Sequence, residues 1–355
     1  MPPKPRARDL GLPFPGTPGP HNAITDVPGV EVGFCTLTDP AQSLRTGVTA
    51  ILPRGRGTTP IPVWAGHYAL NGNGEMTGTH WIDDAGYFLG PVMISNTHAI
   101  GACHTGAVQW MIDTYADHFR GHAWAMPVCA ETYDGVLNDI TRLAVTPAHA
   151  RAALDGARPG PVAEGSTGGG NGMIAYEFKG GTGTASRRVT AGADYTVAAL
   201  VQANFGIRPW LTILGKPVGR MMPEGRLLEE EMGSIIVVIA TDAPLSGLSL
   251  RALAKRAALG IGRSGTAGGN SSGDIFLAFS TASPQPMAER KAFTRTVTEL
   301  NPDHLDPIYQ AAVEAVDEAV INAMVAGEDA QTVRPPGKTC HAIDTARLAE
   351  IFARE

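Results

Sequence analysis

Hydrophobic and polar positions along this chain predict strands and helices in mixed order. Short runs rich in β-branched residues, bounded by turn residues, predict strands at 23–37, 47–55 and 90–98. A strand pair is predicted at 173–190 and 195–206. After residue 233 the runs become continuously apolar, at 234–245 and 275–281, which is typical of strands buried on both faces. The first twenty residues have the composition of an extended, Pro-rich arm.

Apolar residues at helical spacing predict helices between these strands. The predicted helices are 99–119, 146–156, 249–260, Met287–Leu300 and 305–327. For the helix at 249–260 we expect Ser249 as N-cap and Gly260 as terminator. The last helix places Ile308, Val313, Val316, Val320 and Met324 on one face. Buried strands with helices on both sides predict a layered α/β sandwich, and no internal repeat divides it.

Composition narrows the class of protein. The 355 residues are 43% hydrophobic and 17% charged, as in a compact globular enzyme. The net charge of −6 without a basic stripe argues against a nucleic-acid partner, and no apolar run is long enough to predict a membrane span. The start lacks the apolar segment of a secretory signal, and the four cysteines are scattered, so we expect reduced thiols in a cytoplasmic protein.

The junction Gly233–Ser234 stands directly at the start of the strand predicted at 234–245, after the acidic run Glu229–Glu231. One interpretation is self-cleavage. Ser234 Oγ would attack the Gly233 carbonyl to give an ester, and water would hydrolyse it. The freed α-amine, with an ordinary pKa near 7.7–8, would then serve as the general base of the new N-terminal serine. The other interpretation is a turn glycine before a strand.

Other polar positions are candidates for the same chemistry, and each also fits ordinary turn chemistry. Ser272 and Asp274 would point the same way on an extended segment and could orient an amine. Asn204 ends a strand, where its amide could stabilise an oxyanion. Glu131, Tyr133 and Asp134 follow an apolar run. The loops 164–173 and 264–274 lack nucleotide-binding spacing, and the histidines lack metal-ligand spacing, so we predict no metal site.

Taken in order, eight segments resemble the self-processing aminopeptidases, which include L-aminopeptidase/D-amino-acid esterase-amidases and β-aminopeptidases. The segments are ITDVPGVEVG, GVTAILPRG, NGNGEMTG, ISNTHAIG, ETYDG, LVQANFG, GSIIVVIATDAPL and GGNSSGDIFLAFST. The resemblance implies one αββα sandwich over 1–355, similar in arrangement to N-terminal-nucleophile hydrolases but different in connectivity. It also implies cleavage into an α chain, 1–233, and a β chain, 234–355, and assembly of αβ units into a homotetramer.

Residue by residue, Ser234 matches the family nucleophile and Asn204 the residue that stabilises the oxyanion. Ser272 and Asp274 match a serine/acid pair that positions the Ser234 amine and helps the self-processing, although some β-aminopeptidases have Glu at the position of Asp274. Tyr133 matches an active-site tyrosine, and Glu131 a carboxylate that meets the substrate amine. We expect short peptides, amides or esters with a free N-terminus as substrates, and no cofactor.

Two alternatives remain open in the sequence. The same acyl-enzyme could pass its acyl group to an amine or alcohol, which would make the protein an acyltransferase. The chain could also be an uncleaved, catalytically silent binding or scaffold protein. Within the main interpretation, we expect the Glu229–Glu231 run to keep the linker before Ser234 solvated and mobile.

Overall fold

Two β-sheets lie face to face, and helices cover both outer surfaces. The structure is a computed structural model that describes residues 4–57, 60–121, 123–284, 293–294 and 296–353. The strands within these residues are β1 (Glu31–Asp39), β2 (Leu44–Leu52), β3 (Val63–Ala69), β4 (Tyr87–Phe88), β5 (Val92–Asn96), β6 (Val128–Thr132), β7 (Ile174–Ala175), β8 (Phe178–Lys179), β9 (Gly181–Thr190), β10 (Asp194–Asn204), β11 (Ser234–Thr241), β12 (Gly273–Ser280), β13 (Ala330–Gln331) and β14 (Thr339–Cys340).

The α-helices of the same residues form the outer layers and several connections. They are α1 (Thr79–Ala85), α2 (Ile100–Thr114), α3 (Ala116–Phe119), α4 (Pro147–Asp155), α5 (Val218–Met221), α6 (Gly247–Ala254), α7 (Arg256–Arg263), α8 (Asp306–Val325) and α9 (Thr345–Ala353). No helix of the described residues is long and apolar enough to cross a membrane.

The smaller sheet has the strand order β1-β2-β5-β6 and the larger one β4-β3-β12-β11-β10-β9. In the larger sheet, β11 runs parallel to β12 and antiparallel to β10. All residues of β11 from Ile235 to Val238 have no exposed surface. Burying each such side chain contributes about 1.5–3 kcal/mol, so this central strand is a rigid support for whatever stands at its ends.

Three apolar clusters follow the layers. Side chains of both inner sheet faces, among them Ile94, Val128, Leu200 and Ile236, form the core between the sheets. The outer face of the large sheet packs against α6, α7 and α8, and the outer face of the small sheet against α2 and α4. The predicted four-layer αββα sandwich is therefore confirmed.

Several element predictions need correction. The single helix predicted at 249–260 is two helices, α6 and α7, capped by Ser246 and not by Ser249. Gly260 does not end it but lies inside α7, where close packing against α8 requires a residue without a side chain. The predicted helix Met287–Leu300 lies mostly outside the described residues, and 296–300 contain no helix.

The N-terminal segment is anchored more firmly than a free arm. Ala7, Leu12 and Phe14 are buried in the cluster beneath the large sheet. Arg8 forms a salt bridge with the buried Glu318 of α8, which also pairs with Arg187 of β9 at 2.7 Å. The N-terminal segment is therefore held against the large-sheet cluster and α8. None of the four cysteines forms a disulfide, as predicted.

Candidate active site

Ser234 is the first residue of β11 and lies between the ends of two neighbouring strands. In the sheet register it faces Asn204, the last residue of β10, and Gly273, the first residue of β12. Its Oγ accepts a hydrogen bond from the Gly273 N–H at 3.0 Å. Because this bond uses Oγ as the acceptor, the hydroxyl proton is free to be donated to a base. The side chain is 7% exposed, so the nucleophile candidate is largely shielded from water.

The residue before it has no room for a side chain. A Cβ built on Gly233 would lie 1.9 Å from the Asn204 carbonyl oxygen and 2.6 Å from Phe205 Cα. Real carbon–oxygen contacts of this kind are above 3 Å, so any other residue would push the chain away from β10. The glycine therefore allows the Gly233 backbone to lie directly against the end of the neighbouring strand.

Asn204 joins the two sheets at this end of the sandwich. Its Nδ2 donates to the Tyr133 carbonyl, which follows β6 of the small sheet, and its Oδ1 accepts from the Ile174 N–H, both at 2.9 Å. One amide hydrogen is engaged by Tyr133, and the amide nitrogen carries a second. The side chain is thus fixed in orientation beside Ser234.

Ser272 and Asp274 flank Gly273, whose N–H contacts Ser234. Both are buried, and Ser272 Oγ donates to Asp274 Oδ1 at 2.5 Å, a length typical of a bond to a charged acceptor. Burial raises the pKa of Asp274 to about 6; the nearby Glu231 carboxylate adds to this, and the Ser272 bond opposes it. Asp274 Oδ2 is buried without a hydrogen-bond partner in the described part of the chain, so one acceptor oxygen is available.

Glu131 lies at the end of β6, near the start of β12. A Cβ built on Gly74 would be 3.0 Å from Glu131 Oε1 and 3.6 Å from Gly273 Cα, so the Glu131 carboxylate and Gly273 both lie beside Gly74. Glu131 accepts from the Glu75 N–H at 2.9 Å and from the Thr97 hydroxyl. Burial raises the pKa of this carboxyl, and the Thr97 and Glu75 bonds oppose the increase.

Tyr133 and Asp134, next along the chain, differ in exposure. Tyr133 is 40% exposed, and its main-chain carbonyl holds Asn204. Asp134 is buried and accepts from the side chains of Asn96 and Asn138, both at 3.1 Å. Burial raises the pKa of Asp134 to about 6. The structure thus brings Glu131 and Tyr133 to the same end of the sandwich as Ser234 and assigns Asp134 to a buried polar network.

The expectation of a solvated linker holds for only part of the acidic run. Glu229 and Glu230 are exposed, but Glu231 is 9% exposed and hydrogen-bonded to the N–H groups of Gly206 and Gly269. The prediction is therefore wrong for Glu231. Its side chain turns inward because those two N–H groups are near its carboxylate, a fact that the acidic composition of the run does not reveal.

Several contributors to this site were not identified from sequence. They are the Gly273 N–H, the Thr97 hydroxyl, the Glu75 N–H, Glu231, and Asn73, whose amide donates to the Ser271 carbonyl at 2.6 Å. Three of these groups lie in the segments NGNGEMTG and ISNTHAIG, which resemble the self-processing aminopeptidases. Their position in these segments was the signal that could have identified them from the sequence. In the described ranges, no group of three or more His, Cys, Asp or Glu side chains could hold a metal ion.

Known proteins are similar to this chain over most of its length. The model of peptidase family S58 matches residues 22–336. The β-peptidyl aminopeptidase BapA of Sphingosinicella microcystinivorans is 48% identical over 99% of this chain and 92% of its own length.

Two solved structures are also similar over nearly the whole chain. The L-aminopeptidase D-Ala-esterase/amidase of Ochrobactrum anthropi is described as a prototype for the serine aminopeptidases and a new variant of the Ntn-hydrolase fold. It is 55% identical with a TM-score of 0.94, over 99% of each chain. A β-aminopeptidase of Burkholderia sp. is 45% identical with a TM-score of 0.90, over 98% of each chain.

Proposed function

The chain belongs to peptidase family S58, and on this premise we propose that it cleaves itself between Gly233 and Ser234 to become an N-terminal-serine enzyme. As a member of that family it is a hydrolase of the serine aminopeptidase type. The observation that best supports self-cleavage is the position of Gly233, where a side chain would have no room. This glycine directly precedes Ser234, a buried serine that begins strand β11.

Self-cleavage needs only this chain and one water molecule. The Ser234 hydroxyl gives up its proton as Oγ forms a bond to the Gly233 carbonyl carbon. The C–N bond of that peptide then breaks, and the nitrogen takes up this proton to become the Ser234 α-amine. Water then adds to the resulting ester and releases the Gly233 carboxylate and the Ser234 hydroxyl. The Gly273 N–H supports this sequence because it fixes Oγ through a lone pair and leaves its proton free.

Substrate hydrolysis repeats the same chemistry on another carbonyl. The Ser234 amine takes the proton of its own hydroxyl, Oγ attacks the substrate carbonyl, and the second N–H of Asn204 donates to the oxyanion. Asp274, through its open Oδ2, and Ser272 orient the Ser234 amine. The leaving amine departs with the proton, and water hydrolyses the acyl-enzyme.

We assign the substrate ammonium group to Glu131 and the edge of the substrate cleft to the half-exposed Tyr133. Glu131 is a buried carboxylate whose donors, the Thr97 hydroxyl and the Glu75 N–H, are neutral. Because these donors do not compensate its negative charge, the carboxylate favours a cationic N-terminus. The substrate class is peptides, amides or esters with a free amine, with an L-α- or β-amino residue at the N-terminus. A tetramer of αβ units and a cytoplasmic location stay predictions.

Denaturing mass spectrometry of the purified protein tests the proposal first. We expect species of about 24 and about 13 kDa in place of 37.1 kDa, in proportion to 233 and 122 residues, with the smaller one starting at Ser234. Ser234→Ala should remain a single 37.1 kDa species and hydrolyse no amide substrate. A wild-type chain that stays intact on prolonged incubation would instead favour the silent-scaffold alternative.

Substrate preference is read from parallel assays on amides of L-alanine, D-alanine and β-alanine. Turnover that requires the free amine, and is lost when the amine is acetylated, supports the role given to Glu131. Glu131→Gln should raise KM for these substrates roughly 10-fold or more, in line with removing one partner of a charged pair. An unchanged KM would remove Glu131 from the substrate site.

A further inference from the structure

Glu231 is a buried carboxylate two residues before the scissile bond, and its contacts have no part in the hydrolysis described above. Oε1 accepts from the Gly206 N–H at 2.9 Å, and Oε2 accepts from the Gly269 N–H at 3.0 Å. Its own carbonyl accepts from Ser271 Oγ at 2.9 Å. A carboxylate held by main-chain N–H groups makes charge-assisted bonds, which are shorter and stronger than neutral ones.

The partners of Glu231 lie on both sides of the nucleophile's strand. Gly206 follows the end of β10, and Gly269 and Ser271 precede the start of β12. These are the two strands that flank Ser234 in the sheet. One side chain therefore ties the chain just before Ser234 to both neighbours of β11.

The same segment is fixed at its upstream end by a second buried carboxylate. Glu177, in the turn between β7 and β8, accepts from the N–H groups of Leu227 and Leu228 at 2.6 and 2.8 Å. Between these two anchors, Glu229 and Glu230 are exposed and make no hydrogen bond or ion pair in the described residues. The linker is thus attached at its two ends, and the downstream attachment is the one next to the cleavage site.

We infer that Glu231 is a positioning residue for self-cleavage, which holds the Gly233 carbonyl carbon against Ser234 Oγ for the first attack. The inference rests on the proposed self-cleavage at Gly233–Ser234. Gly233 has no side chain that could fix its position, and a Cβ there would clash with Asn204 and Phe205. Its carbonyl is therefore oriented by the residues before it, and Glu231 is the one among them with bonds to both flanking strands.

Glu231→Gln keeps the size of the side chain but turns one acceptor oxygen into an NH₂ group that faces an N–H donor. Since a misplacement of about 1 Å costs roughly 100-fold in rate, we expect this variant to cleave itself roughly 10- to 100-fold more slowly than wild type. Glu230→Gln, one residue away and exposed, is the matched control and should cleave within about twofold of wild type. The measurement is the conversion of freshly synthesised full-length chain into two fragments, followed by mass spectrometry.

Two further measurements separate positioning from a general loss of structure. Thermal unfolding of Ser234→Ala with and without Glu231→Gln shows whether the altered chain folds. Ser271→Ala, which removes an exposed donor to the Glu231 carbonyl, should slow cleavage severalfold without changing a buried group. Hydroxylamine, which cleaves esters, should not restore the wild-type rate of cleavage in the Glu231→Gln chain, because formation of the ester is the step that is slowed.

The outcomes distinguish the inference from its premise. If wild type itself stays intact, the proposed self-cleavage fails and the inference fails with it. If wild type cleaves and both Glu231→Gln and Ser271→Ala cleave at the wild-type rate, Glu231 does not position the scissile bond. Rapid cleavage of Glu231→Gln on addition of hydroxylamine would also overturn the inference, since the first attack would then be intact.

Discussion

At the scale of single residues, Asp274 sets a pH range for the chemistry. Burial raises its pKa to about 6, so the carboxyl increasingly takes up a proton as the pH falls through that range and is then less able to accept from Ser272. The Ser234 α-amine does not exist before cleavage, so it cannot contribute to the pH dependence of the first cut. Self-cleavage of the intact chain is therefore the reaction in which Asp274 is best observed.

We predict that the rate of self-cleavage falls as the pH decreases through about 6. The Asp274→Asn chain should be slower by about 10- to 100-fold at pH 7, and its rate should lose that acid-side dependence. Rates are measured by mass spectrometry from pH 5 to 8 on freshly synthesised chains. An acid limb with the same midpoint in Asp274→Asn would assign the titration to another group, such as Glu131.

The residue scale also shows what sequence could foresee. Ser234, Gly233, Ser272 and Asp274 could be proposed from the sequence because they lie in segments that resemble the self-processing aminopeptidases. The role of Glu231 is not recognisable in that way. Its partners Gly206 and Gly269 are 25 and 38 positions distant, and only the folded sheet brings their N–H groups to its carboxylate.

At the scale of elements, α7 and α8 pack so closely that one glycine is a structural requirement. A Cβ on Gly260 would lie 2.6 Å from Val316 Cβ of α8, whereas one on Gly262, two positions on, would meet nothing within 4 Å. Sequence alone predicts a helix terminator at Gly260, because glycine is common there. The helix continues to Arg263 since the packing against α8 outweighs the low helix propensity of glycine.

This pair of glycines gives a matched prediction for stability. Gly260→Ala should lower the free energy of unfolding by about 1–3 kcal/mol through overpacking. Gly262→Ala should leave it unchanged or raise it by up to about 1 kcal/mol, because alanine favours the helix. Denaturant unfolding in the Ser234→Ala background, where the chain stays intact, measures both. Equal effects of the two substitutions would contradict the close approach of α7 and α8.

At the scale of the whole molecule, the order of strands shows how the protein would hold together after the proposed cleavage. Across the large sheet, β4 and β3 belong to residues 1–233, β12 and β11 to residues 234–355, and β10 and β9 again to residues 1–233. The two strands of the β chain are therefore hydrogen-bonded on both sides to strands of the α chain. Helix α8 of the β chain packs over β9 and β10 of the α chain.

We predict that the two fragments do not separate without denaturant. Size-exclusion chromatography of the cleaved protein should elute both fragments together, and native mass spectrometry should show them in equal number. The Ser234→Ala chain, which cannot be cut, serves as the reference for size. Elution of a free fragment of about 13 kDa under native conditions would contradict the interleaved sheet.

The sequence by itself determined the layered α/β class, and it predicted a scissile bond at Gly233–Ser234 and the candidate site residues, which stay predictions. Strand periodicity and the immediate neighbours of Ser234 are local properties that a linear pattern records. Tertiary structure decided which strands flank Ser234, where α6 gives way to α7, and that Glu231 faces inward while Glu229 and Glu230 stay exposed. These features depend on contacts between residues far apart in the chain, which exist only once the two sheets have packed.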